Sequence, residues 1–590
     1  MLTNNQLNIK YSIDHISTSE ALPLISLVLP VYNVERKWLQ AAIESVLRQT
    51  YTHWQLCIAD DGSTRRETLD YLLSLQDKRI KTVFIDNNQG IATASNAALS
   101  LARGEFVGFL DHDDELILTA LQEVAQIIIE SKPDLIYSDE EYIKTNGKRY
   151  SVHFKPDYSP DLLLSTNYFC HLTVYRRSLL EQVGGLHHGY DGAQDYDLLL
   201  RCLERTDRIV HIPKLLYRWR RISGSTADRF TNKHYAWQAG LRVVADSLNR
   251  RGIAGMVLLG KHPGTYRVQR AIINHPKVSI IIPFRDLPEA LGRCLDSILS
   301  KTTYPFFEII GVSNQSHKST TLAMMADYQR RDFRIRFLSY DQPFNFSAIN
   351  NFAIEQAQGK HILLLNNDTE VINSDWLEAL LEHSQRPEVG AVGAKLYYPN
   401  DTIQHAGIII GIAGSAGHSH KCFDRNDPGY FNRLDMIQNV SAVTGACLMV
   451  KKALYKSIGG LDEINLPIAF NDVDFCLRLR AQGYLNIFTP YSELYHHESR
   501  SRGLEMTAEK KQRFRREKFY LYQRHLAIFN NGDPYYNPNL PLDRENFGLR
   551  FRLLRPFAFI LRDEWQKNHS LVRALGVLGK QLLQRLARHV

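Results

Sequence analysis

The chain has 590 residues, 44% hydrophobic and 23% charged, with a formal net charge of +8. That length exceeds one core and predicts two to four domains of ordinary globular composition. No stretch of 18 apolar residues predicts a spanning helix, and the start, Met1-Leu-Thr-Asn-Asn-Gln, does not read as a secretory leader. The seven cysteines (57, 170, 202, 294, 422, 447 and 476) are dispersed without a C-x-x-C pair. They read as reduced thiols in the cytosol, not as a disulfide framework or a zinc site.

In chain order, apolar runs predict strands at 24–30, 54–59, 80–85 and 105–110, with helices near 36–49, 66–76 and 91–102. The pattern returns at 277–283, 306–312, 334–339 and 360–365, again with helices between. Short apolar runs alternating with longer helical patterns indicate an α/β fold with a mostly parallel, Rossmann-like sheet. Ligands on such sheets bind beyond the carboxyl ends of the strands. Pro30, Asp60, Asp111, Ser313 and Asn366 fall at such ends.

The two series are a duplication. Ser26-Leu-Val-Leu-Pro30 matches Ser279-Ile-Ile-Ile-Pro283 at an offset of 253, and Asn96 through Asp111 matches Asn351 through Asn366 at 255. Val183-Gly-Gly-Leu186 matches Ile458-Gly-Gly-Leu461 at 275, and Gln194-Asp195 matches Asn471-Asp472 at 277. Leu216-Tyr-Arg218 matches Leu494-Tyr-His496 at 278, which sets Arg218 opposite His496. The predicted organisation is an N-terminal extension (1–23), a first domain (24–227), a helical linker (228–275), a second domain (276–503) and a helical C-terminal region (504–590).

Each copy carries an acidic loop after an apolar run: Asp111-His-Asp113-Asp114 in the first, Asn366-Asn-Asp368 in the second. Carboxylates gathered at a strand end suit a divalent metal, which would neutralise a diphosphate. Taken singly, such a loop also reads as turn and cap chemistry. Nine Lys/Arg against Asp563 and Glu564 make residues 549–590 strongly basic. Leu571, Leu575, Leu578, Leu582 and Leu586 recur there at helical spacing, so this segment reads as a basic amphipathic helix for an anionic membrane surface, or as a helix packed on the second domain. A nucleic-acid-binding stripe or motif is not seen in the body of the chain.

Both halves resemble inverting nucleotide-sugar glycosyltransferases of family 2, with the GT-A fold. The resemblance rests on Leu29-Pro30-Val-Tyr32-Asn33, Asp60-Asp61-Gly-Ser63, Asp111-His-Asp113 and Gln194-Asp195-Tyr-Asp in the first copy. In the second it rests on Leu365-Asn366-Asn-Asp368-Thr-Glu and Asn471-Asp472-Val-Asp, which are similar to rhamnosyltransferase-like members. The resemblance implies two tandem GT-A domains building a bacterial surface polysaccharide, O-antigen or capsule, from nucleotide-sugar donors, with Mg²⁺ or Mn²⁺. It implies Asp195 and Asp472 as the bases that take the acceptor proton, with Asp197 and Asp474 supporting the helix start. Metal contacts would come from Asp111, Asp113, Asn366, Asp368 and His496, with His497 as a neighbour and Arg500 and Arg502 as phosphate partners. The nucleotide would meet Pro30, Tyr32, Asp60, Asp61 and Asn96 in the first copy, and Pro283, Arg285, Ser313 and Asn351 in the second. A lipid-linked or polymeric glycan acceptor, and a cytoplasmic place at the inner face of the plasma membrane, complete the expectation. The alternative is one catalytic copy with the other as a sugar- or acceptor-binding scaffold.

Overall fold

A computed structural model describes residues 22–222, 234–497 and 507–548. The basic segment 549–590 and the arginines at 500 and 502 lie outside the described residues.

Among the described residues, two large sheets share one strand order. The first runs Ile80–Ile85, Trp54–Asp61, Ile25–Val31, Phe106–Phe109, Thr173–Arg176, Leu135–Lys144, Ile209–Arg221, Glu115–Leu116. The second runs Ile335–Ser339, Phe307–Ser313, Val278–Phe284, His361–Leu365, Cys447–Lys451, Val389–Tyr397, Leu485–His496, Thr369–Val371. The first four strands of each order are parallel, as the alternating pattern predicts. The following strand is antiparallel to both its neighbours, so each sheet as a whole is mixed.

Helices cover both faces, which explains why the central strands read as unbroken apolar runs. Along Ile25–Val31, Ile25, Leu27 and Leu29 enter one core and Val28 the other. In the second copy Ile280 and Ile282 face one core and Ile281 the opposite one. All seven cysteines are free thiols, and five are buried.

The segment 234–270 is a helix (His234–Arg250) followed by a hairpin (Gly255–Leu259 with Tyr266–Arg270), the latter not foreseen from the sequence. Val243, Val244 and Leu248 of the helix and Val268 of the hairpin join the core of the first sheet. The two halves are locked together: Arg386 donates to Asp161 Oδ1 at 2.5 Å, and Asn439 bonds Ser159 and Asp161. Residues 533–547 act as a strap. Asn537 Nδ2 donates to both oxygens of Asp139 in the first half, while Asp533 accepts from Ile410 N and Ser441 Oγ in the second.

Candidate functional site

In the first half the central strand ends at Val31, and the chain turns at Asn33, whose φ of 45° is left-handed. Asn33 Oδ1 accepts from Thr64 N and Arg65 N, which positions the helix Arg66–Leu73. Asp60 accepts from Ser63 N, and its other oxygen is buried without a partner. Asp61 spends its two oxygens on Gln89 N and Gly90 N, at the start of the helix Ile91–Ser100. Tyr32, half exposed, stands on this rim.

The acidic loop follows the neighbouring strand. Oxygens of Asp111 and Asp114 and a ring nitrogen of His171 lie within 4.8 Å of one another. His171 Nε2 is 3.6 Å from Asp111 Oδ2, and its ring stacks on Tyr217 at 4.6 Å between centroids. Asp114 accepts from Tyr217 Oη and Arg220 N, both at 2.7 Å. Burial, then repulsion from Asp113 and Asp111, pushes the Asp114 carboxyl well up; Asp113 is raised chiefly by burial. Carboxylates forced together in a poorly hydrated place repel one another, and a divalent cation relieves that repulsion. Two carboxylates with an imidazole therefore fit such an ion. The cluster joins Asp111 to Asp114 and His171; Asp113, which the sequence reading named as a metal contact with Asp111, lines the cavity outside this group. His171 arrives from the bend that precedes the antiparallel strand Thr173–Arg176, so no local spacing announces it.

Asp195 sits in the first turn of the helix Gln194–Leu203. Asn167 Nδ2 donates to its Oδ2 at 3.0 Å. Burial raises its pKa; His171 opposes the rise and Asp111 adds to it, so all three share one field. Two residues on, Asp197 points the other way, as helical geometry requires. It is fully buried and bonds Arg201, whose guanidinium holds Val183 O and Gly185 O. Asp474 and Arg478 repeat this with Ile458 O and Gly460 O. In the first copy one acid of the pair lines a cavity and the other builds the turn beside it.

A cavity of about 1130 Å³ joins these parts. Pro30, Tyr32, Asp61, Asp111, Asp113, His171 and Asp195 line it. Its far wall comes from elsewhere: Tyr235 and Trp237, the hairpin residues from His262 to Tyr266, and Tyr430 through Arg433 of the second half. Asp60 and Asn96 are not on its wall. Asn96 bonds the backbone of Leu186 through both ends of its amide, and Asn351 does the same with Leu461. These two asparagines, read from the sequence as nucleotide contacts, pin a glycine turn in each copy. The side chain of Asn351 is further occupied by Tyr455 Oη.

In the second half, Asp368 Oδ1 and Asn366 Nδ2 each lie 3.2 Å from His496 Nε2. His496 Nδ1 meets Gln404 Oε1 at 2.7 Å. With Nδ1–H donating to Gln404, the Nε2 lone pair accepts from Asn366 Nδ2–H, and Gln404 fixes the orientation of the ring beside Asp368. His497 is instead bonded to Glu370. Asp472 accepts from Gly445 N and Val473 N at 2.8 Å each, and burial raises its pKa. Asn314, in the place of Asp61, donates to Tyr340 O and Gln342 O, so the adjoining loop is held through its carbonyls. Pro283 and Ser313 are buried at the strand ends, and Arg285 is exposed.

The strand pairing corrects one equivalence. Leu116 pairs with Tyr217, and Val371 pairs with Leu494. The first copy has an extra residue, Leu216, between the pairs Asp139–Leu215 and Glu140–Tyr217; the second passes from Lys395–Glu493 to Leu396–Leu494 without one. Trp219, not Arg218, therefore occupies the register of His496. Arg218 bonds Glu141 at 2.8 Å, away from the cavity that Trp219 lines.

Comparison with known proteins places this architecture. The chain is 47% identical over 534 residues to the uncharacterized protein y4gI of Sinorhizobium fredii, covering 89% of this chain and 58% of that one. It is 40% identical over 536 residues to the O-antigen biosynthesis protein RfbC of Myxococcus xanthus, covering 90% of this chain and 41% of that one. It is 36% identical over 124 residues to the UDP-Glc:alpha-D-GlcNAc-diphosphoundecaprenol beta-1,3-glucosyltransferase WfgD of Escherichia coli, covering 21% of this chain and 48% of that one. The chain thus spans roughly half the length of these relatives. The model of glycosyl transferase family 2 matches residues 26–184 and 279–459, more than half of the sequence and once in each copy, so the chain belongs to that family.

Proposed function

We propose that the chain is an inverting nucleotide-sugar glycosyltransferase with two centres, one in each copy, extending a cell-surface polysaccharide. The observation that carries this reading is the shared cavity of the first half, where a carboxylate at a helix start, Asp195, faces an acidic cluster at a strand end.

The donor nucleotide would lie on Pro30, Val31, Tyr32 and Asp61, with its diphosphate toward Asp111. Asp111, Asp114 and His171 would hold Mg²⁺ or Mn²⁺, whose charge offsets that of the leaving diphosphate. Asp195 takes the proton of the acceptor hydroxyl as its oxygen attacks the anomeric carbon. The bond to the diphosphate oxygen breaks on the opposite face, leaving a glycoside of inverted configuration and a nucleoside diphosphate. Burial suits Asp195 to this work, because a raised pKa brings a carboxylate nearer to the proton it must accept. Asn167 keeps the carboxylate from rotating away.

The second centre would use Asp472 as base, with Asn366, Asp368 and His496 at the diphosphate. Asn366 offers an oxygen ligand but not a charge. The names of RfbC and WfgD support an O-antigen type of product and a lipid diphosphate acceptor. A deoxysugar nucleotide such as dTDP-rhamnose is the donor we propose to test beside UDP-sugars. The described helices include none long and apolar enough to cross a membrane. We propose that the basic residues 549–590 bring the enzyme to the anionic inner face of the plasma membrane.

A second reading, that the second half is a scaffold, is favoured by Tyr430 through Arg433, which build the first cavity's wall. Asp195→Asn and Asp472→Asn, assayed separately for nucleoside diphosphate release and product linkage, decide between them. Loss of a different linkage in each variant supports two centres. Unaltered products from Asp472→Asn leave the scaffold reading.

A further inference from the structure

The cavity has an end that the donor does not need. From His171 an aromatic run leads away from the acidic cluster. His171 meets Trp219 edge-on at 5.3 Å, and Trp219 stacks on Tyr142 at 5.6 Å and 22°. Tyr142 lies nearly parallel to Phe431 at 6.3 Å and 26°, and Phe431 stacks on His153 at 3.8 Å and 14°. All of these rings line the cavity. Tyr150 stands beside Tyr142 and is 43% exposed.

Polar groups sit between the rings. Glu140, on the cavity wall and 1% exposed, accepts from Tyr142 Oη and from the buried Lys155. Phe431 and Asn432 are both left-handed, with φ of 49° and 64°. Bulky residues take that conformation only where their surroundings hold them, and strained residues gather at functional sites. Here the hold is visible. Tyr430 Oη accepts from Phe154 N, and Arg433 bonds Gln438 and Tyr535 O. A loop of the second half is thus fastened into the first half's cavity.

We propose that Tyr430 through Asn432 complete, across the boundary between the halves, the acceptor subsite of the first centre, and that its ligand is a pyranose ring of the growing glycan. A pyranose has an apolar C–H face and a rim of hydroxyls. A run of rings beside the Glu140 carboxylate, with the Asn432 amide on the same cavity wall, matches both. The path of rings ends at His171, on the wall of the same cavity as Asp195, where the acceptor hydroxyl must arrive. This inference rests on the transferase reading of the first centre, and it assigns part of that centre's acceptor choice to the second half of the chain.

The test uses the full chain with UDP or dTDP and Mn²⁺, and a panel of methyl pyranosides (glucoside, galactoside, rhamnoside, N-acetylglucosaminide) observed by saturation-transfer NMR. At least one pyranoside is expected to receive saturation through its C–H face. Phe431→Ala is expected to weaken it about tenfold, as loss of a stacked ring implies, and Phe431→Trp to restore it. Tyr150→Ala, at a more exposed ring, gives a second reading that does not depend on the loop folding. Nucleotide affinity stays the same in all three. Nucleotide binding without any pyranoside binding overturns the subsite alone, as does a pyranoside signal indifferent to Phe431→Ala and Tyr150→Ala. Failure of the wild type to bind any nucleotide overturns the transferase reading and this inference with it.

Discussion

Removing Asp161 tests whether the halves work as one body. Its carboxylate is 4% exposed and takes a forked contact from Arg386, at 2.5 and 3.4 Å, while Asn439 Nδ2 donates to it at 2.9 Å. Burial pushes its pKa up, but Arg386, helped by His383 and Arg270, outweighs that and holds it well below the usual carboxylate range. Asp161→Ala leaves the half-buried Arg386 beside Arg270 with Glu388 as its remaining counter-charge. Breaking a fully buried pair costs about 3–5 kcal/mol, and the contact that Arg386 keeps to Glu388 sets this case near the lower bound. The lost hydrogen bond from Asn439 adds roughly 1 kcal/mol. That exceeds what most single docking contacts can lose, so the calorimetric endotherm should split into two, one for each half. The companion Asp161→Ala/Arg386→Met, with no stranded charge, should recover most of the loss. A carboxylate with a lowered folded pKa stabilises above its unfolded pKa of about 3.9 and stops doing so as pH falls through the lower folded value. The difference between wild type and Asp161→Ala should therefore be constant from neutral pH to about 5 and shrink only below about 4. First-centre transfer should fall as well, since undocking withdraws Tyr430 through Arg433 from the cavity. A cost below about 1 kcal/mol, far under the range for a buried pair, with unaltered turnover, would refute the claim that this pair fastens the two halves.

Asp195→Asn should lower first-centre turnover about 10²–10⁴-fold, the usual worth of a positioned base. The same change should raise the melting temperature at neutral pH, because a carboxylate with a raised folded pKa costs stability when ionised. Asp111→Ala and His171→Ala should each abolish thermal stabilisation by Mn²⁺ at the first centre; intact stabilisation in both would move the ion elsewhere. His211, between Asp139 and Asp157, has its pKa lifted to about 9, because the two carboxylates outweigh its burial. Its contribution is full below its unfolded pKa of about 6.5 and is lost as pH rises through 9. Between those values the wild type should lose more stability than His211→Gln, as followed by urea denaturation.

The local elements were legible in the sequence to within about three residues. The strands at 54–59 and 80–85, and the helix at 91–102, reappear as Trp54–Asp61, Ile80–Ile85 and Ile91–Ser100. Runs buried on both faces announce themselves by composition, whatever they later pack against. The duplication was equally plain, and it survives as one strand order repeated. What stayed hidden depends on distant pairing. His171 reaches Asp111 from the bend before an antiparallel strand, and Phe431 reaches His153 across 278 residues of chain. Asn96 and Asn351 misled for an instructive reason. Their repetition at one offset was read as shared chemistry, but what recurs is a glycine turn, Gly185 and Gly460, closed by an amide with its two bonding ends.

The extra residue at Leu216 has a consequence for the history of the two halves. In a strand, a slip of one position turns every later side chain to the opposite face. A genetic exchange between the copies guided by their shared Leu-Tyr pair would join Tyr217 to His496. The imidazole would then stand in the place of Arg218, facing Glu141 instead of the cavity. His497 would follow into the register of Trp219, so the indole on the cavity wall would be exchanged for an imidazole. The bulge thus decides which of two adjacent histidines such an exchange would turn toward the cavity, His497 and not His496.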